Sequence, residues 1–197
     1  MLAIALGVCA PAQAVVIDFE SLRHDDAGIS DVGLVYLEDG FGFTGQHASF
    51  MPNFGTFGTQ ESRFPGSTAM FARIIDMNTH LAHLTGSEFS ITSIDLANLN
   101  YPGAVTLEFI GTKSDFTTVS QIVQFDSFGS FTTVMFGPRF TDLISLDWMS
   151  GRFQAHQFDN LVLTAEETVT TAPEPASLLL LGSGMIALAA RARSKRY

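Results

Sequence analysis

The 197-residue chain has one cysteine, Cys9, and it falls within the first fourteen residues. A body that begins after residue 14 has no disulfide, no cysteine nucleophile and no thiolate ligand. Basic residues are also few, ten against twenty acidic ones. Four of the ten, Arg191, Arg193, Lys195 and Arg196, stand at the very end, where Glu174 is the one acid. The remainder has six bases and nineteen acids, a net charge of −13. Nucleic acid and anionic membrane surfaces are excluded as partners of that body, since both require Lys/Arg patches. Divalent cations and neutral sugars remain compatible with it, and so does simple solubility. No Gly-x-Ser-x-Gly elbow, His-Glu-x-x-His pair or phosphate loop occurs. No catalytic residue is assigned, and the chain reads as a non-enzyme. A carboxylate pair for glycoside hydrolysis is the surviving enzymatic alternative, but nothing in the sequence singles out a pair.

The two ends are organised differently from the middle. Residues 1–14 are rich in Ala, Leu and Val, carry no charge and close on Ala12-Gln13-Ala14. That small-x-small ending is what a signal peptidase cuts, so export through the Sec machinery and cleavage after Ala14 are expected. The basic residues that normally open such a segment are missing, which places the translation start a few codons upstream. At the other end, Pro173-Glu174-Pro175 precedes an uncharged apolar run over 176–190 and then the four cations. The run is short of the roughly 20 residues of a usual membrane span. Snorkelling arginines and Pro175 in the first helical turn extend it. The cations predict that this end stays in the cytoplasm, with the rest of the chain across the membrane. Pro173 keeps Glu174 on a stiff, extended stalk at the membrane surface, where an enzyme can read it.

This order of Pro-Glu-Pro, apolar helix and basic tail over residues 173–197 resembles the PEP-CTERM sorting domain of Gram-negative bacteria. The resemblance implies an exosortase-type membrane enzyme as partner. It also implies a membrane-anchored precursor and a final place at the cell surface or in the extracellular matrix.

The middle has a β composition, with eighteen Phe and fourteen Gly. Short strands are predicted over 15–20, 35–37, 41–44, 69–74, 89–96, 105–109, 120–125, 131–136, 144–149 and 157–163. Residues 15–165 are read as one all-β, jelly-roll-like sandwich and 166–172 as a linker. Ile17-Asp18-Phe19-Glu20 and the stretches 36–43, 89–96 and 153–161 resemble a recurrent body found in front of such tails, and the last of them resembles the Phe-x-x-Asp-Asn-hydrophobic strand of carbohydrate-binding jelly-roll modules. That resemblance implies a polysaccharide ligand, with exopolysaccharide fitting the exosortase context.

Three candidate sites follow. Asp18 and Glu20 are two apart, hence on one face of a strand, and Asp159 lies in the last strand, a neighbour of the first in lectin-like jelly rolls. Together they are expected to hold calcium, which wants several hard oxygen ligands. Trp148, Tyr36 and Tyr101 are the rings suited to stacking on a sugar. His80-x-x-His83 is read as a pair of exposed loop histidines, because zinc would need a third ligand.

Overall fold

Period-two alternation is plainest at residues 105–113, where Val105, Leu107 and Phe109 are buried and Thr106, Glu108 and Ile110 point outward. The protein is built from repeats of this pattern. The structure, a computed structural model, describes residues 13–48, 51–99, 103–151 and 154–165. In chain order its first strands are β1 (Gln13–Ile17), β2 (Ile29–Gly33), β3 (Val35–Glu38), β4 (Phe41–Gln46), β5 (Phe54–Phe57), β6 (Met70–Ala72) and β7 (Met77–His83). They continue with β8 (Phe89–Asn98), β9 (Val105–Lys113), β10 (Thr118–Phe125), β11 (Thr132–Met135), β12 (Leu143–Ser150) and β13 (His156–Ala165). One 3-10 turn, Glu20–Leu22, is the only helical element among the described residues.

The strands make two antiparallel layers. The first runs β2-β5-β6-β13-β8-β11, with β1 beside β6 along the same edge of β13. The second runs β3-β4-β7-β12-β9-β10. One residue pairing, Leu143 with Phe89, joins the layers. Hairpin β3–β4 turns on Asp39 and Gly40, both at positive φ (46° and 82°), the geometry that a two-residue turn with right-handed twist demands.

Aromatic side chains fill the space between the layers. Phe158 of β13 meets Phe43 of β4 at 6.0 Å and Trp148 of β12 edge-on at 5.1 Å. Phe89 of β8 meets Phe41 of β4 at 5.4 Å. All three contacts cross from one layer to the other, so the inner faces interdigitate as in a sandwich. With no disulfide available to the body, burial supplies the stability, about 1.5–3 kcal/mol for each large side chain fully removed from water. The all-β sandwich expected from the sequence is the fold that forms.

Three strands, β2, β5 and β7, lie outside the runs predicted from the sequence. Phe54–Phe57 is buried at every position, so β5 shows no alternation. β2 is short and interrupted by a bulge between Asp31 and Gly33. β7 does alternate, with Met77, Thr79 and Leu81 buried, and it contains both His80 and His83, which are strand residues and not loop residues. β1 starts at Gln13, pairing Gln13 with Ala165 and Ala14 with Thr164. Cleavage after Ala14 leaves its pairs at Val15, Val16 and Ile17. Residues 1–12, the linker 166–172 and the sorting segment 173–197 lie outside the described residues. Among the described residues no helix is long and apolar enough to cross a membrane.

Candidate functional site

The outer face of the second layer is read directly from its register. Across the middle, Val35, Thr44, His80, Asp147, Ile110 and Ser120 stand side by side on successive strands. The next row carries Gln46, Asn78, Met149, Glu108 and Ile122. A groove of about 260 Å³ opens here, lined by Asn78, Glu108, Ile110, Asp147, Trp148 and Met149.

Asp147 organises this groove. Its Oδ1 accepts hydrogen bonds from Asn78 Nδ2 at 3.0 Å and from His80 Nδ1 at 2.9 Å, and its Oδ2 accepts one from Ser145 Oγ at 3.2 Å. Burial alone would raise the carboxyl, but the bonds from His80 and Asn78 outweigh it and hold Asp147 below the usual range. The same bond raises His80 above the ordinary histidine value, against the opposing effect of its own partial burial. The result is a preorganised carboxylate flanked by an amide, an imidazole and a hydroxyl, next to the exposed apolar side chains of Ile110 and Met149. Sequence reasoning missed this cluster. Asn78, His80 and Asp147 sit at outward positions of their strands, but their meeting depends on a cross-strand register that no local pattern records.

The proposed stacking rings are not on this face. Trp148 is 1 % exposed, with its ring against Phe109 and Phe158. It lies two residues from Leu146, and period two sends both side chains into the core, so Trp148 is corrected from platform to core. Tyr36 is half-buried, its ring 5.5 Å from Phe19, its hydroxyl 2.8 Å from Ser21 Oγ and donating to Glu38 Oε2 at 3.1 Å. Tyr101 lies outside the described residues. Among the described residues the outer face of the second layer carries no Phe, Tyr or Trp.

The three carboxylates proposed for calcium are not all brought together. β1 ends at Ile17, and Phe19 takes a left-handed conformation (φ 52°), so Asp18 and Glu20 do not share a strand face. Asp18 Oδ1 instead accepts the Glu20 N–H at 3.1 Å, and its charge bears on Glu38 and Tyr36. Glu20 Oε1 accepts the Thr68 N–H at 2.8 Å. Asp159 is fully buried, accepting from Ser67 Oγ through Oδ2 and from the Asn160 N–H through Oδ1 at 2.7 Å. Burial, aided by the nearby carboxylates of Glu20 and Asp95, pushes Asp159 up to about 7 against the lowering effect of the bonds from Ser67 and Asn160. Asn160, at φ 48°, marks a bulge there. Among the described residues no three His, Cys, Asp or Glu side chains converge on one point. Two carboxylates, the Ser67 hydroxyl and the buried, unpartnered Thr68 hydroxyl do share this region.

A larger hollow of about 450 Å³ lies at the strand ends, bordered by β1, Asp39, Phe41, His83 and Ala165. The chain before β1 and after β13 lies outside the described residues.

Residues 171–194 match the PEP-CTERM protein-sorting motif. The resemblance of the tail is thereby shown on the residues that carry it. No curated protein matches the chain. Among solved structures the chain is similar to family 29 carbohydrate-binding modules. One, a variant made to probe ligand recognition, is 12 % identical over 77 % of this chain and 91 % of its own, with a TM-score of 0.44. A second covers 86 % and 99 % at 11 % identity and a TM-score of 0.37. A third, a variant complexed with mannohexaose, covers 79 % and 93 % at 12 % identity and a TM-score of 0.36. Likenesses this loose do not locate a ligand, and the sandwich rests on the strand order and register described above.

Proposed function

We propose that this protein is an exported cell-surface or extracellular-matrix component of a Gram-negative bacterium that binds neutral polysaccharide across the outer face of its second layer. Sorting rests on the motif at 171–194, which implies processing by an exosortase-type enzyme. The binding role rests on one observation, the Asp147 cluster in the groove. An ionised carboxylate with fixed amide, imidazole and hydroxyl neighbours supplies the acceptors and donors that sugar hydroxyls need. Ile110 and Met149 supply apolar contact for the C–H faces of a sugar ring. The acidic body favours neutral chains over uronic acids.

A glycan-array screen of the exported chain tests this. Binding to neutral glycans that is lost in Asp147→Asn and Asn78→Ala, with both variants still folded by circular dichroism, is the expected result. Equal binding by all three proteins removes the groove from the reading.

Glu108 and Asp147 line the same groove, and that favours a second reading, a polysaccharide hydrolase. Glycoside hydrolysis needs one carboxyl with a raised pKa to protonate the leaving group. Asp147 is shifted the other way, which favours binding over cleavage. Release of reducing ends from a bound glycan, abolished by Glu108→Gln, would turn the assignment to hydrolase.

Calcium belongs to this reading as a structural ion held by Glu20 and Asp159. The residues fit a hard cation: two carboxylates whose charges oppose one another, the Ser67 hydroxyl, and the orphaned Thr68 hydroxyl. Calcium accepts neutral oxygens beside carboxylates, so two acids suffice where Asp18 is absent.

A further inference from the structure

An edge strand offers a row of unpaired backbone groups to any passing strand, and proteins usually blunt it with charge, proline, bulges or brevity. Four edges of this sandwich follow that rule. β3 has four residues and carries Glu38. β2 has a bulge and carries Asp31, bound to Arg73 at 3.1 Å. β11 has four residues. β1 has five, of which cleavage after Ala14 leaves three.

β10 does not follow it. It pairs with β9 alone and extends for eight residues. From Phe116 to Phe125 the sequence holds no charge, no Pro and no Gly, and half of it is Thr, Val and Ile. Its inner side is fixed to the first layer through Gln121, which donates to Met135 O at 2.8 Å and accepts from the Gly137 N–H at 3.0 Å. Ile122 is 69 % exposed on the outer face. In a body of charge −13, a second copy meets repulsion along most approaches and least along an uncharged strand, where the nearest acid, Glu108, stands one strand back opposite Ile122.

We propose that two copies of this chain pair through β10, antiparallel about a two-fold axis near Ile122, to continue the second layer into one sheet. A segment that meets itself across a two-fold is self-complementary when it has no charge to oppose its own copy. Cross-strand contact of the two Ile122 side chains then covers apolar surface that each monomer leaves in water. This inference is independent of any polysaccharide ligand.

The test uses the exported chain as recovered from the cell surface, by sedimentation and by amide exchange. The wild type is expected to sediment as a dimer whose β10 amides lose protection on dilution. Ile122→Lys and Ile122→Glu are each expected to be monomeric and to unfold in a single cooperative transition, since the side chain is solvent-facing in the monomer. An equimolar mixture of the two is expected to dimerise again, the opposite charges standing across the axis. A wild type that stays monomeric to millimolar concentration overturns the proposal. So does a dimer that persists in Ile122→Lys, or a mixture of the variants that fails to pair.

Discussion

Asp147 of β12 and His80 of β7 stand directly opposite one another in the ladder, and their side chains close a 2.9 Å hydrogen bond on the outer face. The bond ties the groove to pH. His80 is raised in the folded state above its ordinary value near 6.5. Its contribution to stability is therefore fully present below about pH 6.5 and is lost as pH rises through the folded value. Removing the partner leaves burial as the remaining influence, which acts downward. In Asp147→Asn the His80 proton-NMR titration should move below the ordinary histidine value. The variant should be less stable by about 1 kcal/mol at pH 6, with a smaller difference at pH 9. A His80 titration unmoved by Asp147→Asn would show that the bond does not exist in solution.

Trp148 is the one tryptophan, which makes intrinsic fluorescence a direct probe of its place. A ring 1 % exposed among Phe109 and Phe158 should emit in the blue and resist aqueous quenchers. Adding a bound glycan should leave its emission unchanged, because the ring faces the core. Trp148→Ala should destabilise the protein by about 3–5 kcal/mol, as large truncations in packed cores do. Strong quenching by acrylamide in the native protein would restore the stacking role.

Local chemistry was legible in the sequence, and pairing across distance was not. The tail could be read because its residues act in order along the chain. Val105, Leu107 and Phe109 announced a strand by period two, and Phe158 announced the last one. β5 stayed hidden because burial on both faces erases the alternation. Asp18 and Glu20 were joined by a strand rule that the left-handed Phe19 breaks two residues after β1 ends. Asp147 and His80 are 67 positions apart, and their contact depends on register. The Ser67–Asp159 bond, which spans 92 positions, was hidden for the same reason.

Both ends of the chain should be processed. Mass spectrometry of exported material should find Val15 as the N-terminus, and recovery of intact Met1 outside the cytoplasm would rule out cleavage after Ala14. The tail should be removed or replaced near Pro173-Glu174-Pro175. Glu174→Ala should leave the precursor in the membrane. Equal processing of the variant and the wild type would take Glu174 out of the recognition set.

Calcium bound to the folded state alone stabilises by mass action, about 2.7 kcal/mol at a hundredfold excess over the dissociation constant. For a body of this size, about 1 kcal/mol corresponds to roughly 2–4 °C, so the melting temperature should rise by several degrees. Magnesium should do less, because it dehydrates reluctantly and demands tight octahedral geometry. Glu20→Gln and Asp159→Asn should abolish the response. Asp18→Asn should keep it, since Asp18 caps the Glu20 amide and takes no part in the Asp159 region. Identical melts in chelator and in excess calcium would mean that no ion binds.

Asp159 and His156 lie three residues apart in β13 and pull stability in opposite directions as pH changes, which yields the sharpest test of the buried chemistry. His156 is buried, its Nδ1–H donating to the Gln154 carbonyl at 2.7 Å, and burial lowers its pKa to about 4. Unfolded, the same imidazole titrates near 6.5. As pH falls from about 6.5 to 4 the unfolded chain takes up a proton that the folded one refuses, so stability drops by about 1.4 kcal/mol per pH unit. Asp159 behaves in reverse. Its folded value of about 7 stands above the ordinary carboxyl value of 3.8. As pH rises through that interval the unfolded chain releases a proton that the folded one retains, and stability drops at a similar rate. In calcium-free buffer the two slopes should nearly cancel between about pH 4 and 6.5. Asp159→Asn should unmask the histidine slope, with stability rising by roughly 3 kcal/mol across that range. His156→Gln should unmask the carboxyl slope, with stability falling across it. Calcium should remove the carboxyl slope in the wild type, because a bound cation favours the ionised form and returns Asp159 toward an ordinary value. Urea denaturation at half-unit pH intervals measures all four curves. Parallel curves for the wild type and Asp159→Asn would mean that Asp159 titrates like an exposed carboxyl, and the cation site would fall with it.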